Sequence, residues 1–108
     1  AQVVVIRFAA PLFFANGTIL TDRVTQVLAD TPTLRGVVID AEAITDIDVT
    51  GAEALREVEK MLRDAGIAIA IARLRPGLRT RLASFALLSE VPVFETNRAA
   101  LITLSSVS

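Results

Sequence analysis

The feature that most constrains the fold is a short apolar run that ends in a carboxylate. It reads Gly36-Val37-Val38-Ile39 and is followed by Asp40. A β-branched run without polar alternation is typical of a strand that is buried on both faces. Strands of this kind occur in parallel sheets, whose crossover connections place helices over the sheet. The run therefore predicts an α/β fold.

The residues that follow repeat apolar side chains at helical spacing. One face carries Ala52, Leu55, Val58, Met61, Leu62 and Ala65. This pattern predicts a helix from about residue 50 to about residue 65. Thr50 is predicted at its N-terminus, where a hydroxyl can accept from an unpaired backbone N–H. Asp48 and Glu53 suit the positive end of the helix dipole.

The rest of the chain alternates in the same way. Residues 3–8 predict an interior strand, residues 67–72 a strand with one alanine face on which a helix packs closely, and residues 91–94 a short edge strand because of Pro92. Further helices are predicted to start at Asn16 as N-cap and end near Asp30, to run from Pro76 to about Leu88, and to start at Thr96 or Asn97. The result is a mostly parallel sheet of about four strands with four helices.

A strand, a short acidic loop and then Asp48-Val49-Thr50-Gly51 opening a helix resemble the signature of STAS domains. The resemblance covers nearly the whole chain. It implies a STAS-type fold in which the first strand of the family is absent, so that the sheet edge at residues 3–8 is less protected. It also implies one domain over residues 1–108, cut from a longer membrane transporter.

Two groups of proteins carry this domain. In anti-sigma factor antagonists the residue before the glycine is phosphorylated by a partner kinase, so Thr50 is either a phospho-acceptor, as that resemblance implies, or a plain helix cap. In the sulfate permease family the domain is the cytoplasmic C-terminal part of an anion transporter. The segment from Pro11 to Asn16 resembles the permease version, and Val49, where antagonists commonly have Ser, also favours it. The resemblance therefore implies a regulatory module on the cytoplasmic side of the membrane whose partner is a transmembrane domain.

The composition argues against catalysis. The chain has no histidine and no cysteine, which excludes His-activated nucleophiles and removes the commonest metal ligand. Asp46-Ile47-Asp48-Val49-Thr50 formally matches the D-x-D-x-T motif of haloacid-dehalogenase-type phosphatases, but the single lysine, Lys60, lies mid-helix. A small phosphohydrolase is thus the third hypothesis, and we predict no enzyme and no metal. The net charge of −1 predicts no nucleic-acid partner.

Three groups of candidate site residues follow. The regulatory loop comprises Asp46, Asp48 and Gly51 beside Thr50. A rim at the carboxyl ends of the strands is predicted to bind a nucleotide such as GTP or ATP. Binding should be weak, because helix N-termini and arginines attract phosphate whereas the nearby carboxylates repel it. The rim comprises Asn16, Gly17, Thr18, Arg73, Arg75 and Gly77. Leu12, Phe13 and Phe14 either plug the core or form an interface with a partner.

Overall fold

The computed structural model describes residues 2–9, 14–85 and 91–105 of the chain. Strands and helices alternate strictly within these ranges. The strands are β1 (Gln2–Arg7), β2 (Leu34–Asp40), β3 (Ala68–Ala72) and β4 (Val93–Phe94). The helices are α1 (Phe14–Asp30), α2 (Val49–Asp64), α3 (Pro76–Ser84) and α4 (Asn97–Ser105).

The four strands form one sheet in the order β1-β2-β3-β4, and every described pair is parallel. Register aligns Ile6 with Ile39 and Ile39 with Ile71. All carboxyl ends of the strands consequently lie at the same edge, where the following helices begin. The predicted α/β class, the parallel sheet and the four helices are confirmed.

The two faces of the sheet are covered unequally. The larger core lies under α1, α2 and α3 and contains Ile39 and Ile71. On the other face α4 packs Ala100 and Leu104 against Val38 of β2 and against Ala70 and Ala72 of β3, and these five residues form the smaller core. The approach is close, because a Cβ added at Gly36 would lie 3.1 Å from Leu104 Cδ1. The predicted alanine face under a helix is therefore confirmed.

Two predicted N-cap residues are wrong, although α2 begins within one residue of its predicted start. The cap of α2 is Asp48, whose side chain accepts from the backbone N–H of Gly51 at 2.7 Å, and Thr50 is the second helical residue. α1 begins at Phe14, so Asn16 lies within its first turn. A neutral capping side chain stabilises a helix start by only about 1 kcal/mol. A nearby carboxylate or tertiary packing can therefore move the start to another residue. At α4 the prediction holds, because Thr96 Oγ1 accepts from the Ala99 N–H at 3.0 Å.

Two further features differ in part from the prediction. Among the described strands, β1 pairs with β2 only and is therefore not the interior strand predicted from its apolar run; it lies at the sheet edge that the resemblance implies for residues 3–8, and Val5 is 37% exposed. α3 ends at Ser84, with Phe85 as its C-cap; Leu88 lies outside the described residues. No helix in the described part of the chain is long and apolar enough to cross a membrane.

Candidate functional site

Asp40 anchors the carboxyl edge of the sheet. It ends β2 and is 3% exposed. Its Oδ1 accepts from the Glu42 N–H at 3.0 Å, and its Oδ2 accepts from Asn97 Nδ2 at 3.0 Å. The Arg73 guanidinium lies 3.5 Å from the same Oδ2. A buried carboxylate is tolerable here because it is both hydrogen-bonded and paired with a cation.

Arg73, at the same edge of the sheet, has an unusual backbone conformation. Its φ angle is +60°, in the left-handed region that non-glycine residues adopt only at a cost. The backbone N–H of Arg73 donates to the Phe94 carbonyl oxygen at 2.9 Å, and its guanidinium contacts both Asp40 and Glu42. The surrounding contacts therefore determine the conformation, which aims the side chain back over the end of β2.

Glu42 extends the network to a third strand. Its Oε1 lies 3.5 Å from Arg7 Nη2 at the end of β1, and its carbonyl oxygen accepts from Arg75 Nε at 2.8 Å. Arg7, Glu42, Arg73 and Asp40 thus tie together the carboxyl ends of β1, β2 and β3. Two of the arginines predicted for an anion rim are engaged by the chain's own oxygens.

The acidic loop between β2 and α2, residues 41–48, is held from both sides. Asp46 Oδ1 accepts from the Ile47 N–H at 2.8 Å and from Arg81 Nε of α3, 3.1 Å away. Arg81 also donates Nε and Nη2 to the Ile47 carbonyl oxygen at 3.0 and 2.8 Å. Below the loop, Ile44 and Ile47 are buried. They line a small apolar pocket with Ile39, Ala41, Leu55, Ile71, Leu74, Leu78 and Leu82.

The first turn of α2 presents a solvent-facing surface beside this fixed loop. Asp48 caps the helix, Gly51 is buried, and Thr50 is exposed. Val49 is 59% exposed, although it is a large apolar residue. An exposed hydroxyl at the start of a helix is accessible to a modifying enzyme, and added negative charge there interacts favourably with the helix dipole.

The predicted site residues are brought together only in part. Asp46, Asp48, Thr50 and Gly51 follow one another along the end of the loop and the first turn of α2, with Gly51 buried. Arg73 and Arg75 instead contact Glu42 near the start of the loop. Asn16, Gly17 and Thr18 lie in the first two turns of α1, and Gly77 is exposed near the start of α3. Leu12 and Phe13 lie outside the described residues, as does the side chain of Phe14.

Sequence reasoning missed Arg7, Asn97 and Arg81 as members of this site. Arg7 carried a signal, since it is the polar residue that ends an apolar run. Asn97 was predicted only as a possible helix start, and Arg81 was assigned no role. Their contacts with Glu42, Asp40 and Asp46 join residues 35 to 57 positions apart, and local patterns hold no information on such pairs.

The phosphatase hypothesis receives no support from the position of its motif. β2 ends at Asp40, so Asp46 lies in the loop and not at the end of a strand. The Asp46 carboxylate is already paired with the Arg81 guanidinium. Lys60 is exposed in α2. Among the described residues, no cluster of three or more acidic, histidine or cysteine side chains could hold a metal ion.

Relatives with known descriptions include sulfate transporters. The chain is 33% identical over 90 residues, 82% of its length, to Probable sulfate transporter Rv1739c of Mycobacterium tuberculosis, and it spans 16% of that protein. It is 29% identical over 69 residues, 63% of its length, to Probable sulfate transporter 3.5 of Arabidopsis thaliana, of which it spans 11%. The chain thus corresponds to a small part of these relatives.

Solved structures share the fold. A sulfate transporter family protein from Wolinella succinogenes superposes with a TM-score of 0.79 at 24% identity, over 95% of this chain and 84% of that one. An anti-sigma factor antagonist from Thermotoga maritima gives a TM-score of 0.79 at 13% identity, over 94% and 87%. The STAS domain of a SulP transporter from Vibrio cholerae gives 0.74 at 19% identity, over 94% and 80%.

The family model described as "STAS domain" matches residues 1–100. This match covers the sheet, α1 to α3, the acidic loop and the start of α4, and it agrees with the fold of the solved relatives. The chain belongs to the STAS domain family.

Proposed function

We propose that this chain is the STAS module of a sulfate-permease-type anion transporter, and that it lies on the cytoplasmic side of the membrane as a non-enzymatic regulatory or interaction domain. The observation that carries the proposal is the 33% identity to a mycobacterial protein described as a sulfate transporter, over 82% of this chain. The partner would be the transmembrane domain of the same polypeptide, because the relatives are several times longer than this chain.

Within that module, the first turn of α2 is the surface proposed to communicate with the membrane part. Val49 and Thr50 are exposed, and the loop before them is fixed by Arg81 and by its own buried isoleucines. A rigid surface with an exposed apolar residue can bind a partner protein. One charge added at the exposed hydroxyl strongly changes the electrostatic potential of that surface.

The test uses the full-length parent protein with Thr50→Glu and, as a matched control, Thr33→Glu. Both threonines are exposed, but Thr33 precedes β2 at the opposite end of the sheet. Anion uptake should change with Thr50→Glu and remain unchanged with Thr33→Glu, at equal protein levels in the membrane. Normal uptake by the Thr50 variant would remove the α2 surface from the mechanism.

A free-standing anti-sigma factor antagonist, switched by phosphorylation at Thr50, is the alternative. It is favoured by the exposed hydroxyl in the first turn of α2 and by the fold shared with the Thermotoga antagonist. The reading frame upstream of residue 1 discriminates between the two functions. Several apolar segments of about 20 residues each would support the transporter, whereas a short frame and phosphothreonine at Thr50 in native protein would support the antagonist.

Weak binding of GTP or ATP at the rim is proposed for either function. The N-terminus of α3 has no side-chain cap, so its first N–H groups are available to a phosphate oxygen. Asp40, Glu42 and Asp46 oppose an anion, and Arg73 is already paired, so we expect low affinity. Amide shift changes on adding ATP should be confined to residues 16–18, 49–52 and 73–79. Changes confined to the amino ends of the strands would refute the site.

A further inference from the structure

The outer face of α3 has an unusual chemistry for a short surface helix. Leu78 and Leu82 point into the core. The side of α3 that faces away from the core carries small, uncharged, exposed residues, namely Pro76, Thr80, Ala83 and Ser84. The helix contains no acidic residue. The outward positions of α3 itself therefore present no large side chain and no negative charge to a helix that packs against them.

Arginines border this small-residue face on both sides. Helical spacing places Arg75 and Arg79 on one flank of α3 and Arg81 on the other. Arg56 of α2 reaches the carboxyl end of α3, where its Nη2 donates to the Phe85 carbonyl oxygen at 2.6 Å. The Arg81 guanidinium lies 6.0 Å from the centre of the Phe85 ring. Four guanidinium groups thus surround a helix that is about 14 Å long.

The chain orients these guanidinium groups without neutralising most of them. Arg75 and Arg56 donate to the main-chain carbonyl oxygens of Glu42 and Phe85, which carry no formal charge. Within the described residues, Arg79 makes no side-chain hydrogen bond or ion pair, and the only carboxylate paired with any of the four is Asp46, at Arg81. Arginine held in a fixed orientation binds carboxylates through two parallel hydrogen bonds, with little further loss of side-chain entropy.

We propose that this surface, the α3 face (Pro76, Thr80, Ala83 and Ser84 with Arg56, Arg75, Arg79 and Arg81), docks an acidic helical segment of a partner protein. Small residues permit close backbone approach, and arginines on both flanks can pair with carboxylates of a helix lying along α3. Arginine is enriched in the centres of protein interfaces. The α3 face shares Arg75 with the rim proposed for nucleotides, but the proposal of an acidic helical partner does not depend on the proposed function.

A protein partner fits the α3 face better than an anionic lipid surface. Helices that lie on membranes insert large apolar side chains between the headgroups. The described residues include four exposed large apolar side chains, at Val5, Ile19, Val49 and Ile102, and none of these belongs to α3. The two leucines of α3 are buried.

The test measures binding of a fluorescein-labelled helical peptide of about 20 residues, with glutamates at i, i+4 along one face, to the 108-residue chain by fluorescence anisotropy. Binding should weaken as salt is raised, because exposed charge pairs are screened. Arg79→Glu should weaken it roughly 3- to 10-fold. The matched control is Arg35→Glu, an exposed arginine at the start of β2, which should change the affinity less than about 2-fold. Thermal unfolding of both variants verifies that they are folded.

Several results would overturn the proposal. These are absence of peptide binding at about 1 mM, equal binding of the same peptide with glutamine in place of glutamate, or equal losses with Arg35→Glu and Arg79→Glu. Sedimentation with phosphatidylserine vesicles in the absence of peptide binding would assign the α3 face to a lipid surface instead. Amide shifts induced by the peptide at Thr80 and Ala83 would support the proposed orientation, and shifts elsewhere alone would contradict it.

Discussion

Replacing Arg73 with alanine tests whether the charge network at the carboxyl edge stabilises the fold. The substitution removes the guanidinium 3.5 Å from Asp40, whose side chain is 4% exposed. Breaking a buried ion pair costs about 3–5 kcal/mol. Asp40 keeps its hydrogen bonds from the Glu42 N–H and Asn97 Nδ2, and Arg73 is itself 35% exposed. We therefore expect a smaller loss of unfolding free energy, about 1.5–3 kcal/mol, typical of a hydrogen bond to a charged group.

Replacing Arg73 with glycine separates the side-chain contacts from the backbone conformation. Glycine adopts the φ angle of +60° without the penalty of about 1–2 kcal/mol that applies to other residues. Its greater freedom in the unfolded chain costs about 0.5–1 kcal/mol. The glycine variant should therefore be more stable than the alanine variant by about 0.5–1 kcal/mol, and both should be less stable than the wild type.

The assay is urea unfolding followed by circular dichroism, with a constant m-value as evidence that only stability changed. Arg79→Ala, an exposed arginine, is the control and should lie within about 0.5 kcal/mol of the wild type. A double-mutant cycle with Asp40→Asn should give a coupling of at least about 1 kcal/mol. A coupling near zero would refute the role of the network, and a glycine variant less stable than the alanine variant would refute the backbone argument.

The geometry leads to three other predictions, on the α2 cap, on Gly36 and on Arg81. Asp48→Ala should lower the unfolding free energy by about 0.5–2 kcal/mol through loss of the cap, whereas Thr50→Ala should change it by less than about 0.5 kcal/mol; equal effects in urea unfolding would contradict the cap assignment. Gly36→Ala should destabilise by about 1–3 kcal/mol because its Cβ would crowd Leu104, and Leu104→Ala in the same chain should reduce that added penalty. Arg81→Gln should accelerate amide hydrogen exchange at residues 44–48 without changing exchange in β2; unchanged exchange in the loop would show that Arg81 does not hold it.

The sequence predicts the architecture well because each element carries its own periodic signal. The alternation of isoleucine and alanine over residues 67–72 indicates both the strand and the face that α4 covers. Pro92 limits β4 to the two residues Val93–Phe94. Such patterns depend only on residues that are close together in the sequence, so they can be recognised without knowledge of the tertiary structure.

The site was predicted less completely because its geometry depends on distant pairs. Asp48, and not Thr50, caps α2, since an aspartate two residues earlier offers a charged acceptor to the Gly51 N–H. Arg73 was predicted as a free anion ligand, but the register of β2 and β3 places it beside Asp40 and Glu42. Only the sheet order determines which arginine meets which carboxylate.

The same contacts indicate how a charge at Thr50 would act. Thr50 is the second residue of α2, where the helix dipole favours negative charge by about 0.3–1 kcal/mol. The loop before it is fixed by Arg81 and by the Asp48 cap, so its conformation does not depend on Thr50. A phosphate or a glutamate at this position should therefore leave the fold and the loop intact, and should change the surface by adding negative charge beside exposed Val49. Regulation at this surface would then work by repelling or attracting a partner and not by melting the helix. A Thr50→Glu chain with faster amide exchange at residues 44–48 than the wild type would contradict this reasoning.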